Sequence, residues 1–151
     1  MAFTHIYITQ LDKVSQIFTL IQPFVEQGKI LARDKQTIEK NLDDYVLIFS
    51  GDELVACAGL KDCQEGLMGE IYSLAVKQSQ QNTGLSVKLL EKLLDKAKVQ
   101  GFSKVFALTK HGTNWFTKHG FVKMNISDLP KNRQRYFDHQ RNSSIFFKDV
   151  N

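Results

Sequence analysis

Cysteine is scarce in this sequence: Cys57 and Cys63 are the only two among 151 residues. That excludes a disulfide-stapled scaffold, and their spacing matches no metal motif, so no metal is expected and both read as reduced thiols. Also missing is any run of about 18 apolar residues, which excludes a transmembrane helix. The opening stretch MAFTHIYITQLDKV lacks a basic segment followed by an apolar one, so no secretory signal is evident and a cytoplasmic setting is expected. No internal repeat and no low-complexity linker appears; with 42% hydrophobic residues, residues 1–151 read as one domain able to bury a core. Charge of one sign is lacking as well. Twenty basic residues stand against sixteen acidic ones, a net charge of +4 spread along the chain. The densest basic stretch, residues 131–141, holds Lys131, Arg133, Arg135 and Arg141, but no recognised nucleic-acid module accompanies it. A small anionic ligand accounts for a modest positive field equally well.

What is there centres on residues 69–101, GEIYSLAVKQSQQNTGLSVKLLEKLLDKAKVQG. A mostly apolar run, 70–76, is long enough for a buried strand. A polar loop follows at 78–83, and a helix starts near Gly84 with Leu89, Leu90, Leu93, Leu94 and Ala97 on one stripe. Gly101 stands where a left-handed helix end favours glycine. A strand, a short loop and a bare helix N-terminus form an anion site, because unpaired N–H groups and the helix dipole face the same way. Gln81-x-x-Gly84-x-Ser86 suits close approach: Gly84 has no Cβ, Ser86 is small, and no acidic residue lies between Lys77 and Lys88. A Gly/Ser turn before an amphipathic helix is also common in any α/β protein, so both readings stay open on these residues alone.

Before this centre, alternation at 5–9 predicts a short strand. Asp12 is placed to cap a helix to about Glu26, which Pro23 should kink or end unless the preceding turn opens. A second helix is expected over 35–42. Residues 45–49 and 54–60 read as a hairpin through Ser50-Gly51-Asp52. After the centre come a strand at 104–108, a short helix at 115–119, a strand from 121, a polar stretch at 127–142 and a last strand at 145–148. The helix joining strands 70–76 and 104–108 predicts that they lie parallel through a right-handed crossover.

This order, with the phosphate-ready turn after the fourth strand, resembles the GNAT superfamily of N-acetyltransferases. Its coenzyme A signature, Arg/Gln-x-x-Gly-x-Gly/Ala, is matched by Gln81-Asn82-Thr83-Gly84-Leu85-Ser86, with Ser86 departing in the last small position. Within the superfamily the chain is most similar to the acetyltransferase domain of the N-acetylglutamate synthases. The likeness runs through EQG at 26–28, ILARDKQTIE at 30–39, GEIYSLAV at 69–76, LTKHGTNWFTKHGF at 108–121, DLP at 128–130 and HQRNSS at 139–144. It implies an α/β GNAT fold: a mixed central sheet of about six to seven strands, helices on both faces, and splayed parallel strands at the coenzyme site.

The implied chemistry is acetyl transfer from acetyl-CoA, as cosubstrate, to the α-amino group of an amino acid, most readily L-glutamate. The resemblance implies that the coenzyme contacts Leu74 and Val76 and that its pyrophosphate sits on Gln81, Asn82, Thr83, Gly84, Leu85 and Ser86. Backbone N–H groups of Ser73 and Leu74 would face the thioester carbonyl. An α-ammonium must lose a proton before it attacks, and Glu70, on an otherwise apolar strand, is the candidate base; a merely structural strand-end carboxylate is the alternative. Amino-acid carboxylates call for arginine's planar fork, and the family columns fall on Arg33 and Arg141, with Ser143 beside the latter. A serine that some synthases offer the thiolate leaving group is Gly112 here, leaving Thr113, His111 or water, or departure of the thiolate unassisted. His111 and His119 are equally surface candidates. Trp115 and Phe116 read as core or as coenzyme-pocket lining. The long synthases carry a preceding kinase-like domain that binds arginine, and regulation by that route is not carried over to this chain. A different amine acceptor, a coenzyme A-binding module without turnover and a nucleic-acid binder are the competing readings; a homodimer is left open, and no membrane partner is expected.

Overall fold

The computed structural model describes residues 9–150. The strand expected at 5–9 therefore lies outside the described residues except for Thr9, which is the N-cap of the first helix. That helix, α1, runs Gln10–Glu26, and Thr9 Oγ1 accepts from the Asp12 N–H at 3.1 Å. The expected cap, Asp12, instead stands in the first turn, where its negative charge faces the positive end of the dipole. Nor does Pro23 end the helix. It lacks an N–H to give Thr19, but the helix continues to Glu26 and Gln27 N–H still reaches the Pro23 carbonyl at 3.2 Å. One missing bond in a last turn is cheap compared with a mid-helix break.

The next helix, α2, spans Lys35–Lys40, with Asp34 Oδ1 accepting from Thr37 N–H at 2.8 Å. It is shorter than expected, because residues Leu42–Asp44 tighten into a 3₁₀ turn. Then come β1 (Tyr45–Ser50), β2 (Glu53–Asp62), β3 (Met68–Val76), α3 (Leu85–Val99), β4 (Lys104–Thr109), α4 (Thr113–Lys118), β5 (Val122–Met124), α5 (Lys131–Gln134) and β6 (Ser144–Asp149). Their strands form one mixed six-stranded sheet in the order β1-β2-β3-β4-β6-β5. The mixed α/β fold is thus the one the sequence implies, with α5 the unexpected element, inside the polar 127–142 stretch.

Two compact units share the chain: residues 9–58 with 73–89, and residues 59–72 with 90–150. In the first, α1 buries Val14, Ile17, Leu20 and Ile21, and β2 buries Leu54 through Ala58. The Gln16 side chain stitches α1 to the β1–β2 hairpin, donating to the Asp52 carbonyl at 3.0 Å and accepting from Leu54 N–H at 2.7 Å. Two polar ends on one residue fix the helix along the strand without a buried charge.

In the second unit β3 and β4 are parallel, from Met68 opposite Lys104 to Ile71 opposite Ala107, as the crossover helix requires. Antiparallel β6 covers the other edge of β4 and pairs with β5. Cys63, Phe106, Met124, Leu129, Phe137 and Ile145 form one apolar cluster there. A Cβ added to Gly69 would meet the Phe102 ring at 2.7 Å and Leu60 at 2.9 Å, so this β3 glycine lets two side chains close over the strand.

Both thiols are buried and free. Burial pushes the Cys57 thiol up to about 12 and, with the Glu70 carboxylate adding to it, Cys63 up to about 11. In the unfolded chain both titrate near 9. Between pH 9 and their folded values the unfolded state holds fewer protons, so stability is full below pH 9 and falls as pH rises. The slope approaches about 1.4 kcal/mol per pH unit for each thiol. Denaturant melts from pH 8 to 11 should show this decline and a shallower one in Cys57→Ala; identical slopes would overturn the assignment.

Candidate active site

In the first unit the turn before α3 is open. Gln81, Asn82, Thr83 and Gly84 are exposed, and helix α3 begins at Leu85 with the Lys88 N–H bonded to the Gly84 carbonyl at 3.3 Å. Gly84 has φ +82°, and a Cβ there would meet nothing within 4 Å. Glycine is thus favoured by backbone conformation, and the space above it is free for a ligand. Asn82 shares the left-handed region at φ +65°. The loop holds its own shape: Gln81 Nε2 donates to the Val76 carbonyl at 3.3 Å and Thr83 Oγ1 to the Gln80 carbonyl. A 15-residue helix entered through an uncharged turn of this kind presents N–H groups and dipole to an anion.

The same unit brings two of the expected residues together. Arg33 Nε donates to Ser73 Oγ at 3.2 Å, although 40 positions separate them. Ser73 is 7% exposed and has φ +49° inside β3, and its carbonyl accepts from Cys57 Sγ at 3.5 Å. A left-handed residue in a strand breaks the regular ladder, which is how a strand re-aims its backbone groups. Leu74 is half-buried and Val76 buried beyond it.

In the second unit the carboxylate of Glu70 meets a side chain from another element. It is held by Arg133 of α5, whose Nε lies 2.7 Å from Oε1 and Nη2 3.3 Å from Oε2. The two side chains are 14% and 19% exposed. Lys61, Cys63, Asn132 and Tyr136 complete a pocket of about 100 Å³ around them. Sequence reasoning missed Arg133 because it counted that residue only within the densest basic stretch, weighed for nucleic-acid binding. A helical arginine after Pro130 was the available signal.

Helix α5 reaches β3 because its own N-terminus is tied down. Glu65, in the β2–β3 turn, accepts from Lys131 N–H at 2.8 Å and Asn132 N–H at 3.2 Å, and these bonds hold its carboxyl below the ordinary carboxylate value. Asn132 Nδ2 donates to the Cys63 carbonyl at 2.8 Å, and Gln134 Nε2 to the Leu129 carbonyl at 2.8 Å. Also in this unit, Arg141 is half-buried in the turn built on Asp138, whose Oδ1 accepts from the Gln140 and Arg141 N–H groups, each at 3.0 Å. Ser143 is 8% exposed just before β6.

Gly112, φ +77°, is the N-cap of α4, so its column here serves a left-handed turn. The Thr109 hydroxyl bonds both the carbonyl and the N–H of His111, closing the preceding loop on itself. Phe116 is core, stacked on Phe146 at 5.9 Å and edge-on to Phe121 at 5.0 Å. Trp115 is half-buried with His119 tilted against it at 4.6 Å, while His111 is exposed. Among the described residues no His/Cys/Asp/Glu group could hold a metal, and no helix is long and apolar enough to cross a membrane.

A mixed sheet of this topology, with a strand that breaks step and then turns into an open helix N-terminus, defines an acetyltransferase fold. Residues 11–121 match the family model described as Acetyltransferase (GNAT) family, and the chain belongs to that family. The amino-acid acetyltransferase of Pectobacterium carotovorum is 30% identical over 140 residues, covering 93% of this chain and 32% of that protein. The amino-acid acetyltransferase of Escherichia coli K12 is 29% identical over the same length. N-acetylglutamate synthase from Neisseria gonorrhoeae, solved with coenzyme A and N-acetyl-glutamate, superposes with a TM-score of 0.90 at 32% identity, covering 100% of this chain and 36% of that one. The chain thus spans about a third of the length of the curated relatives it matches.

Loss of the Glu65 anchor should be visible in acid. Its lowered carboxyl contributes stability that is present above the unfolded value near 4.5 and is lost as pH falls through the folded one. Thermal melts between pH 3 and 7 should show a smaller acid-induced drop in Glu65→Gln than in the parent. Parallel curves would mean that the carboxylate does not hold α5.

Proposed function

We propose that the chain is an acyltransferase that moves the acetyl group of acetyl-CoA to the α-amino group of an amino acid, with L-glutamate the favoured acceptor. The reaction is that of an N-acetylglutamate synthase, a step of arginine biosynthesis, with residues 1–151 acting as one acetyltransferase domain. The observation that carries the proposal is the 32% identity, along the whole of this chain, to a synthase solved with coenzyme A and N-acetyl-glutamate. The residues fit the cosubstrate. The turn at 81–86 leads into the N-terminus of a 15-residue helix and offers a glycine with empty space above it and no carboxylate to repel a pyrophosphate.

In this reading Glu70 takes one proton from the α-ammonium, directly or through water. The freed nitrogen attacks the thioester carbon, and the N–C bond forms. The Ser73 and Leu74 N–H groups bear the developing oxyanion where β3 breaks step. As the C–S bond breaks, the extra proton on nitrogen neutralises the departing thiolate, and the proton on Glu70 passes to solvent. Val76 lines the acyl-carrier arm. Arg33, Arg141 and Ser143 bind the amino acid's carboxylates; the Arg33–Ser73 bond would steady one fork near the strand break.

Two experiments test the halves of this reading separately. Gly84→Asn and Gly84→Asp both tolerate left-handed backbone, so their difference isolates charge. Calorimetry with coenzyme A should find Gly84→Asp weaker than Gly84→Asn by about tenfold or more, as one repelled charge a few ångströms from phosphate requires. Equal affinities would remove the pyrophosphate from this turn.

A free-thiol assay with acetyl-CoA and an amino-acid panel tests the acceptor. Arg141→Lys keeps charge but loses the planar fork, and each charge-assisted contact is worth about 1.5–3 kcal/mol, so kcat/KM for glutamate should fall about ten- to a hundredfold. Equal turnover of glutamate, glutamine and aspartate would refute glutamate and leave acetyl transfer standing. Release of thiol with no member of the panel would leave a coenzyme A-binding module.

A further inference from the structure

The Glu70 carboxylate sits in a small pocket beside an arginine that no substrate column predicts. We propose that Arg133 is a positioning residue: its guanidinium grips both oxygens of Glu70 and holds the carboxylate in the single orientation from which it takes the acceptor's proton. The inference rests on the reading of Glu70 as the base.

Three observations converge on it. The grip is two-pronged, Nε to Oε1 at 2.7 Å and Nη2 to Oε2 at 3.3 Å, which fixes the plane of the carboxylate as well as its place. Glu70 comes from β3, whose backbone is held by its ladder to β4, whereas a free glutamate side chain would sample several rotamers. And α5 does not need the ion pair to stay where it is. Glu65 receives its first N–H groups, Asn132 donates to the Cys63 carbonyl, and Gln134 to the Leu129 carbonyl. The helix thus presents Arg133 from a fixed mount; the pair is an output of that mount rather than its support.

A stabilising role alone accounts poorly for the pair. Half-buried charges lose hydration that their attraction only partly restores, and apolar pairs of like volume are often as stable. A substrate-binding role alone leaves the pair unexplained, because the Nε–Nη2 edge of the guanidinium is already on Glu70.

The test is a double-mutant cycle on the full chain, with kcat and both KM values measured for acetyl-CoA and glutamate. Glu70→Gln should lower kcat about 10²–10⁴-fold, the range for a placed acid–base group. Arg133→Gln should lower kcat about ten- to a hundredfold, as loss of alignment does, with both KM values within about twofold. Arg133→Lys, which keeps the charge without the fork, should recover only part of the loss. In the Glu70→Gln background, Arg133→Gln should change kcat by less than about twofold, because it has nothing left to position. Additive losses, a rise confined to the KM for glutamate, or parental kcat in Arg133→Gln would each overturn the inference while leaving the base intact. Parental kcat in Glu70→Gln would instead remove the base itself, and the inference with it. Melting curves accompany each variant; should Arg133→Gln melt early, the Arg133→Lys cycle reads the same coupling.

Discussion

Much of this fold depends on one residue held in a conformation that serine rarely adopts. Ser73 lies in β3 at φ +49°, a left-handed setting that costs a non-glycine residue about 1–3 kcal/mol. Such strain persists only where the surroundings over-determine it. Here the hydroxyl accepts from Arg33, the carbonyl accepts from Cys57 and the side chain is buried. The strand is regular before this point, paired to β4 from Met68 to Ile71 and offering Glu70 to its pocket. After it, the chain runs on to Val76, whose carbonyl is bonded by Gln81, and into the turn that starts α3. A strand regular throughout would keep every backbone group in a ladder and have none to offer a ligand.

The parts of this arrangement set by local pattern were readable from the chain. Leu89, Leu90, Leu93 and Ala97 make α3 visible by periodicity, and all four are buried. The parallel β3–β4 pair follows from the crossover between them. Helix edges were less legible. Thr9 and Asp12 both suit a cap, and only the structure shows that the hydroxyl takes the bond while the carboxylate serves the dipole. Pro23 signals a break, yet in a last turn it removes just one bond.

What could not be read was pairing over distance. Glu70 and Arg133 are 63 positions apart, and no periodicity joins them. The four-residue α5 is too short to show a repeat; it exists because Glu65, 66 positions before Lys131, receives its first N–H. The Arg33–Ser73 bond likewise crosses 40 positions. Each is a tertiary bond made by a polar side chain, the kind of contact that hydrophobic patterning carries no information about.

That such bonds gather around β3 bears on why they are there. An arginine fork on a half-buried carboxylate contributes little net stability, since desolvation offsets most of the attraction. Truncating one partner is costly because it strands the other. A pair of this kind therefore constrains geometry more than it adds energy. Cys63, beside it, shows the local field: its thiol is held neutral by burial first and by the Glu70 charge second. A pocket built only for stability would fill with apolar side chains, as the neighbouring cluster of Phe106, Met124, Leu129, Phe137 and Ile145 does. This one keeps a carboxylate in place on the strand, with a guanidinium to aim it.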